Sequence, residues 1–287
     1  MIWLIGNRGM LGADVEERLR SRSIPYAASD VEVDITDRAA LSSFAAGRGF
    51  TRIINCSAYT AVDRAEDEPD RAYAVNADGV RNIAHVAADE GALLVHVSTD
   101  YVFDGEKNGA YAEDDPTGPI GAYGRSKLEG ERHIASILDK HFILRTAWLY
   151  GAHGGNFVST MLRLFGERGE VRVVADQWGS PTFSRDLAAA IVAVAEGAPQ
   201  RYGIYHYTNE GRANWFEFAR EIYALGRRYG IVKRDVTIVP ISTAEYPTRA
   251  RRPRYSYLSK EKIQRELGIA CRDWRDALED FIREMAG

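Results

Sequence analysis

Residues 2–12 read Ile2-Trp3-Leu4-Ile5-Gly6-Asn7-Arg8-Gly9-Met10-Leu11-Gly12, four apolar residues running straight into a turn with glycine at every third position. The apolar run bounded by glycine predicts a buried strand, and the amphipathic pattern that follows through about Arg20 predicts a helix. Strand, Gly-rich turn and helix in this order suit a dinucleotide. Gly6 permits the tight turn, Gly9 the close approach of backbone to a pyrophosphate, and Gly12 close packing of helix on strand. The helix N-terminus then turns its unpaired N–H groups and positive dipole end toward the phosphates.

Reading outward, Tyr26–Ser29 predicts a second strand that ends at Asp30. A carboxylate there suits the adenosine ribose hydroxyls and argues for NADH, while Arg8 in the turn suits a 2′-phosphate and keeps NADPH open. In the following Val33-Asp34-Ile35-Thr36-Asp37, Asp34 is either a turn residue or an adenine contact, and Thr36 or Asp37 caps the next helix. The strand starting at Arg52 carries Ser57, Ala58, Tyr59 and Thr60 at its far end, where small residues let a cofactor lie against the backbone. The charged run from Asp63 to Ala72 reads as the solvated start of a helix. Asn76 lies in the helix leading to the strand Ala92–Ser98. Each strand is followed by a helical pattern, which predicts a doubly wound α/β fold on a parallel sheet, with Gly9, Ala58 and Thr99 brought to one edge.

From Ser98 to Lys127 the chain passes from that strand through a polar Gly/Pro-rich loop into a helix. Tyr123 and Lys127 are four apart, so they share a helix face and place a phenol beside an ammonium. A nearby cation favours the phenolate, which suits Tyr123 as a general acid near neutral pH. Thr99, at the C-terminal end of its strand, is placed to hold a carbonyl oxygen. These three form the candidate catalytic set.

The 287 residues carry a net charge of −4 with 45% hydrophobic content, which fits one large or two modest domains and gives no basis for general nucleic-acid binding. Cys56 and Cys271 stand alone, outside any metal or disulfide pattern, and fit a reducing, cytoplasmic setting. The first residues show no secretory signal pattern and no run reaches the length of a membrane span. The scattered histidines suggest no metal site.

In the carboxyl-terminal half, Trp148 suits either the apolar face of a hexose or a core. Asn156 caps the helix starting at Phe157, and the loop from Asp176 to Thr182 is rich in turn formers. The helix from Ser184 and the strand Gly203–Asn209 are expected to return to the first sheet. The division expected is therefore a dinucleotide-binding domain over 1–146 with 183–208 returning to it, and a smaller interleaved α/β substrate domain over 147–182 and 209–287. Arginines of the late basic loop suit a nucleotide diphosphate.

The ordered motifs GNRGMLG, STDYVFDG and YGRSK resemble the extended short-chain dehydrogenase/reductase superfamily. More closely, NCSAYTAVDRAE, YAEDDPTGPIGAYGRSKLEGE, ILRTAWLYG, DQWGSPT and RRPRYSYL make nearly the whole chain similar to the dTDP-4-dehydrorhamnose reductase family. That resemblance implies NADPH- or NADH-dependent reduction of the C4 ketone of a dTDP-linked 6-deoxy sugar, with hydride delivered to C4. Tyr123 would protonate the C4 oxygen, Lys127 would bind the nicotinamide ribose and lower the Tyr123 pKa, and Thr99 would bond the carbonyl. It also implies pyrophosphate contacts for Gly9, Met10 and Leu11, ribose for Asp30, adenine for Asp34 and Ile35, mid-cofactor contacts for Ala58, Tyr59 and Thr60, and sugar contacts for Asp100 and Trp148. Among the late arginines, the resemblance of the segment RRPRYSYL singles out Arg252, next to Pro253, for the nucleotide diphosphate. The chain departs from the superfamily at Ile5, where threonine is common, and the carboxylates that hold magnesium at a dimer contact in some members do not map here. No metal is therefore expected, and a homodimer stays open. Two other classes share the scaffold: a non-catalytic regulatory subunit, which has no need of Tyr123, and an epimerase or dehydratase, in which a second carboxylate would be expected where Tyr101 follows Asp100.

Overall fold

The apolar run at the start of the chain forms β1 (Ile2–Ile5), buried along its whole length in a parallel six-stranded sheet. The computed structural model describes residues 1–197 and 199–287. The strands are β1, β2 (Tyr26–Ser29), β3 (Arg52–Asn55), β4 (Leu93–Thr99), β5 (His141–Thr146), the short β6 (Leu149–Tyr150), β7 (Glu170–Val174), β8 (Trp178–Gly179), β9 (Thr182–Phe183), then β10 (Gly203–His206), β11 (Ala213–Asn214) and β12 (Thr237–Ile241). The large sheet runs β10-β5-β4-β3-β1-β2. From β1 the chain moves out to β2 and returns on the other side at β3. The direction of winding therefore reverses between β1 and β3, and the crevice at their carboxyl ends is where ligands settle in such sheets.

Both faces of the sheet are covered, which is why its strands read as continuous apolar runs. On one face Leu11, Val15 and Leu19 of the helix Met10–Ser21 meet Leu187 and Ile191 of the helix Ser184–Gly197. On the other, Leu41, Ile83 and Ile134, from helices Arg38–Ala45, Val80–Asp89 and Ala122–Ile137, cover Trp3, Ile5 and Ile53. Trp3 is fully buried and its indole N–H donates to Ser29 Oγ at 2.8 Å, so its polar atom is satisfied.

A second core, built around Phe165, Phe183, Phe218, Trp274 and Phe281, fills the other half of the molecule. Two of its helices, Phe157–Glu167 and Trp215–Arg228, open on capping boxes at Asn156 and Asn214. Its strands pair only in twos, β7 with β12, β8 with β11 and β6 with β9. Between the stretches that build this core, the helix Ser184–Gly197 and β10 lie against the large sheet, β10 pairing parallel with β5. The late segment 253–258 stitches the halves: Tyr255 N donates to Gly105 O, Ser256 N to Trp178 O and Tyr111 N to Tyr257 O. Among the described residues no helix is long and apolar enough to cross a membrane.

Candidate active site

The Gly-rich turn opens at the switch point. Gly6 has φ +82°, which a side chain would strain, and a Cβ on it would lie 2.7 Å from Ser57 N. A Cβ on Gly12 would fall 1.9 Å from Gly6 O, so the helix packs this closely only without one. Gly9 is the N-cap of the helix Met10–Ser21 and supplies no side-chain cap, so the first-turn N–H groups, those of Met10 and Leu11 among them, face the crevice unserved by the cap. A bare helix start, shaped by close backbone approach and set at the switch point, fits the pyrophosphate of a dinucleotide.

Around the β2 end, Asp30 accepts from Arg8 N at 3.0 Å and Val31 N at 2.8 Å. Arg8 itself pairs with Glu32 at 3.2 Å. Asp34 accepts from both Thr36 N and Thr36 Oγ1 at 2.8 Å, the turn arrangement, and Asp37 is the cap of the next helix. Ile35 is buried, with its side chain against Gly79, so any contact it makes with an adenine is through its backbone. Tyr59 N donates to Asn76 Oδ1 at 2.9 Å, and Ala58 lies half-buried and Thr60 exposed beside it.

Thr99 ends β4 and Tyr123 and Lys127 lie on the helix Ala122–Ile137, whose last turns run along the same strands. The Thr99 hydroxyl donates to Asp100 Oδ1 at 3.0 Å, accepts from Tyr101 N and opposes the Tyr123 phenol. Lys127 is buried and its Nζ donates to Val97 O at 2.7 Å. Burial pulls its ammonium down to about 8, with Glu131 and Cys56 opposing. The Tyr123 phenol is pushed well above the usual tyrosine range, chiefly by burial and further by Asp100, the Thr99 bond partly opposing. The free chain thus differs from the expectation that the ammonium lowers this phenol: Nζ is spent on the strand, and desolvation sets the direction.

Asp100 is buried, and burial raises its carboxyl to about 6, with the neighbouring Ser256 and Thr99 hydroxyls opposing. Its Oδ2 has no partner in the chain, an uncommon state for a buried carboxylate oxygen and one that a ligand hydroxyl would relieve. Next to it a cavity of about 910 Å³ is lined by Tyr101, Trp148, Phe157, Gln177, Arg252 and Ser256 among others. Tyr101 meets Tyr123 edge-on at 5.6 Å between ring centres, so the cavity opens beside the phenol. Trp148 has φ +48°, a strained backbone for a bulky residue, and stacks on Trp215 at 3.5 Å. Arg252 reaches the cavity too, but its guanidinium already binds Asp63 at 2.7 Å and Tyr101 Oη at 3.3 Å.

The run from Asp63 to Ala72 folds as two short helices, Arg64–Asp67 and Pro69–Tyr73, with Asp67 and Asp70 exposed as a solvated helix start requires, while Asp63 and Glu66 are half-buried against other segments. Glu66 accepts from Ala122 N at 2.7 Å and so serves as the cap that Gly121 lacks, while Asp63 holds Ala250 N and Arg252. Ionised acceptors on buried or half-buried donors gain more than they do from water-exposed helix positions. Four further polar residues escaped the motif reading. Asn76, in the π-helical turn Ala74–Gly79, binds Tyr59 O and Ser126 Oγ, each at 3.0 Å. Glu131 and Arg145 form a fully buried double hydrogen bond of 2.9 and 2.7 Å that also takes the Ser98 hydroxyl. His96 lies behind Lys127, its Nε2 3.4 Å from Nζ. The signal for His96 and Arg145 is a polar residue inside an apolar strand pattern, while Glu131 lies in a polar helical stretch that gives none.

The family model described as the RmlD substrate binding domain matches residues 1–286. The dTDP-4-dehydrorhamnose reductase of Aggregatibacter actinomycetemcomitans is 41% identical over 284 residues, 97% of each chain. Among solved structures, a dTDP-4-dehydrorhamnose reductase from Clostridium acetobutylicum superposes with a TM-score of 0.94 at 39% identity, over 100% of this chain and 99% of that one. The Bacillus anthracis reductase, solved in complex with NADP, gives 0.92 at 39% identity over 99% and 98%. With matches of this identity running from end to end, the chain belongs to the dTDP-4-dehydrorhamnose reductase family.

Proposed function

We infer that the chain is an NAD(P)H-dependent oxidoreductase that reduces the C4 ketone of a dTDP-linked 4-dehydro-6-deoxy-L-sugar, giving dTDP-L-rhamnose. The observation that carries the reading is the meeting of Thr99, Tyr123 and a buried Lys127 at the carboxyl edge of the sheet, between a bare helix start and a half-apolar cavity. The reduced nicotinamide, when bound, supplies the hydride that C4 takes up. Tyr123 gives its proton to the C4 oxygen. Thr99 orients that oxygen by hydrogen bond, and Lys127 holds the nicotinamide ribose and balances the phenolate left on Tyr123.

Met10 and Leu11 bind the pyrophosphate through backbone N–H, with Gly6, Gly9 and Gly12 giving room; Asp30 takes ribose hydroxyls, Asp34 and Ile35 edge the adenine, and Ala58 to Thr60 line the middle. Asp100 Oδ2 accepts from a sugar hydroxyl and Trp148 covers an apolar ring face. Arg252 faces the nucleotide diphosphate, its affinity for it reduced by Asp63. The substrate is a nucleotide sugar, the enzyme acts in the cytoplasm, and a homodimer, allowed by the family resemblance, is tested by light scattering. Deuterium carried on the reactive position of NADPH should appear at C4 of the product sugar. Label found at another carbon, or left on the cofactor while the sugar is changed, fits an epimerase or dehydratase and rejects the reductase.

A further inference from the structure

Behind Lys127, on the sheet side, a row of hydrogen bonds begins at Ser57. Its N–H and hydroxyl both donate to Asn55 Oδ1, at 3.0 and 2.6 Å. With the amide oxygen so occupied, Asn55 presents Nδ2 to His96 Nδ1 at 3.0 Å. An amide nitrogen donates and does not accept, so Nδ1 is the acceptor. His96 is completely buried, and burial, with Lys127 and His141 adding to it, holds the ring neutral. The single ring hydrogen therefore sits on Nε2, 3.4 Å from Lys127 Nζ. What His96 shows the lysine is a donor.

We propose that Asn55 and His96 are positioning residues for Lys127: the locked Nε2–H tautomer denies the ammonium an acceptor within the sheet, leaves it Val97 O alone on that side, and sends its remaining N–H groups into the crevice. The inference rests on the reading of Lys127 as the residue that holds the nicotinamide ribose. The other ionisable groups facing Lys127 do not replace His96 in this role. Cys56, at the end of β3, is held as the thiol, its value raised by burial to about 12. Glu131, one turn along the same helix, has its oxygens engaged by Arg145 and Ser98. Tyr123, one turn back, is held as the phenol. A row running from a backbone N–H through amide and imidazole to an ammonium fixes each orientation in turn, which a single lysine on a helix could not do for itself.

The test is a long-range nitrogen–proton correlation spectrum of the full chain labelled in its histidine rings, with His96 identified by the signal that His96→Gln removes. The neutral Nε2–H pattern is expected, unchanged over roughly pH 6 to 9. An Nδ1–H pattern, or a ring that titrates near the ordinary histidine value, overturns the proposal, and this arm needs no folded variant beyond the assignment. Asn55→Asp keeps the acceptor for Ser57 but takes a hydrogen from His96 Nδ1, turning Nε2 into an acceptor for Lys127. It should switch the tautomer, weaken NADPH binding, read by tryptophan quenching, about tenfold, and raise the alkaline limb of kcat/KM by about one pH unit. A switched tautomer with NADPH affinity and alkaline limb both unmoved overturns the positioning role. Lack of any reductase activity in the parent chain, with the expected tautomer present, rejects the proposed function instead and leaves the hydrogen-bond assignment standing.

Discussion

Tyr123 keeps its proton in the free chain because burial and the Asp100 charge both oppose the phenolate. That suits an acid that must still carry a proton when the substrate arrives. Tyr123→Phe, which removes only the hydroxyl, should lower kcat by about 10²- to 10⁴-fold while NADPH binding, measured by fluorescence quenching, stays within a factor of about three. Equal loss of binding and turnover would move the hydroxyl from chemistry to cofactor contact. In the proposed reaction Lys127 is an ammonium, and burial sets that form's upper limit at about 8, so kcat/KM should fall as pH rises through that value. Asp100 gives a prediction on stability. Its folded value, about 6, lies above the ordinary 3.8, so its stabilising contribution is full when the group is protonated and is lost as pH rises through 6. Asp100→Asn should therefore be more stable than the parent at pH 7 by about 2–3 kcal/mol, with the difference closing below roughly pH 4. Urea unfolding at the two pH values reads it; a variant that is less stable at pH 7 would show that Asp100 is satisfied in a way the free chain does not reveal. Turnover should fall, because the same unpartnered Oδ2 is the proposed sugar contact.

The helix Ala122–Ile137 carries Tyr123 and Lys127 of the proposed catalytic set, and three devices hold it. Glu66 caps its first turn, Asn76 takes Ser126 in its second, and Glu131 in its third is locked to Arg145 of β5. Gly130 lets it lie against the π-helical turn, since a Cβ there would be 2.2 Å from Asn76 O. Gly130→Ala should cost about 1–3 kcal/mol and reduce turnover by displacing Tyr123 and Lys127 together, measurable by urea unfolding and steady-state kinetics on one preparation. Glu131→Ala leaves the Arg145 guanidinium buried and unpaired, at a cost of about 3–5 kcal/mol. A loss under 1 kcal/mol would mean that water or Glu113 O takes over. The helix itself, the Gly-rich turn and the strands were legible because each follows from local periodicity and breakers. The devices were not, since Glu66 and Ala122, or Glu131 and Arg145, meet only after the sheet has ordered distant segments. Asp63 and Glu66 lie in a run whose local pattern is that of a solvated helix, and only tertiary structure supplies Ala122 N and Arg252 as their partners.

Over the whole molecule, the parallel sheet sets the cofactor crevice and the second core sets one wall of the cavity, with segment 253–258 hydrogen-bonded to both. The parallel sheet was readable from the alternation of apolar strands and amphipathic helices. The cavity was not, because its walls come from residues as distant as Tyr101, Trp148, Gln177 and Arg252. Trp148 left two readings open in the sequence, and the structure gives it both an aromatic stack and a place on the cavity wall. The Arg252–Asp63 pair joins the late loop to the cofactor half, and Asp63 competes with any diphosphate for the guanidinium. Arg252→Ala should raise KM for the sugar nucleotide by about tenfold or more, with kcat changed far less; a loss confined to kcat would place Arg252 with the reacting atoms. Central to the proposal is hydride reduction driven by the Thr99, Tyr123 and Lys127 set, and the most direct test is nicotinamide absorbance when the purified chain, NADPH and dTDP-4-keto-6-deoxy-L-lyxo-hexose are mixed. A rapid fall that depends on the sugar and is abolished in Tyr123→Phe is the predicted result. No fall in the parent chain, with NADPH shown to be bound, would contradict it.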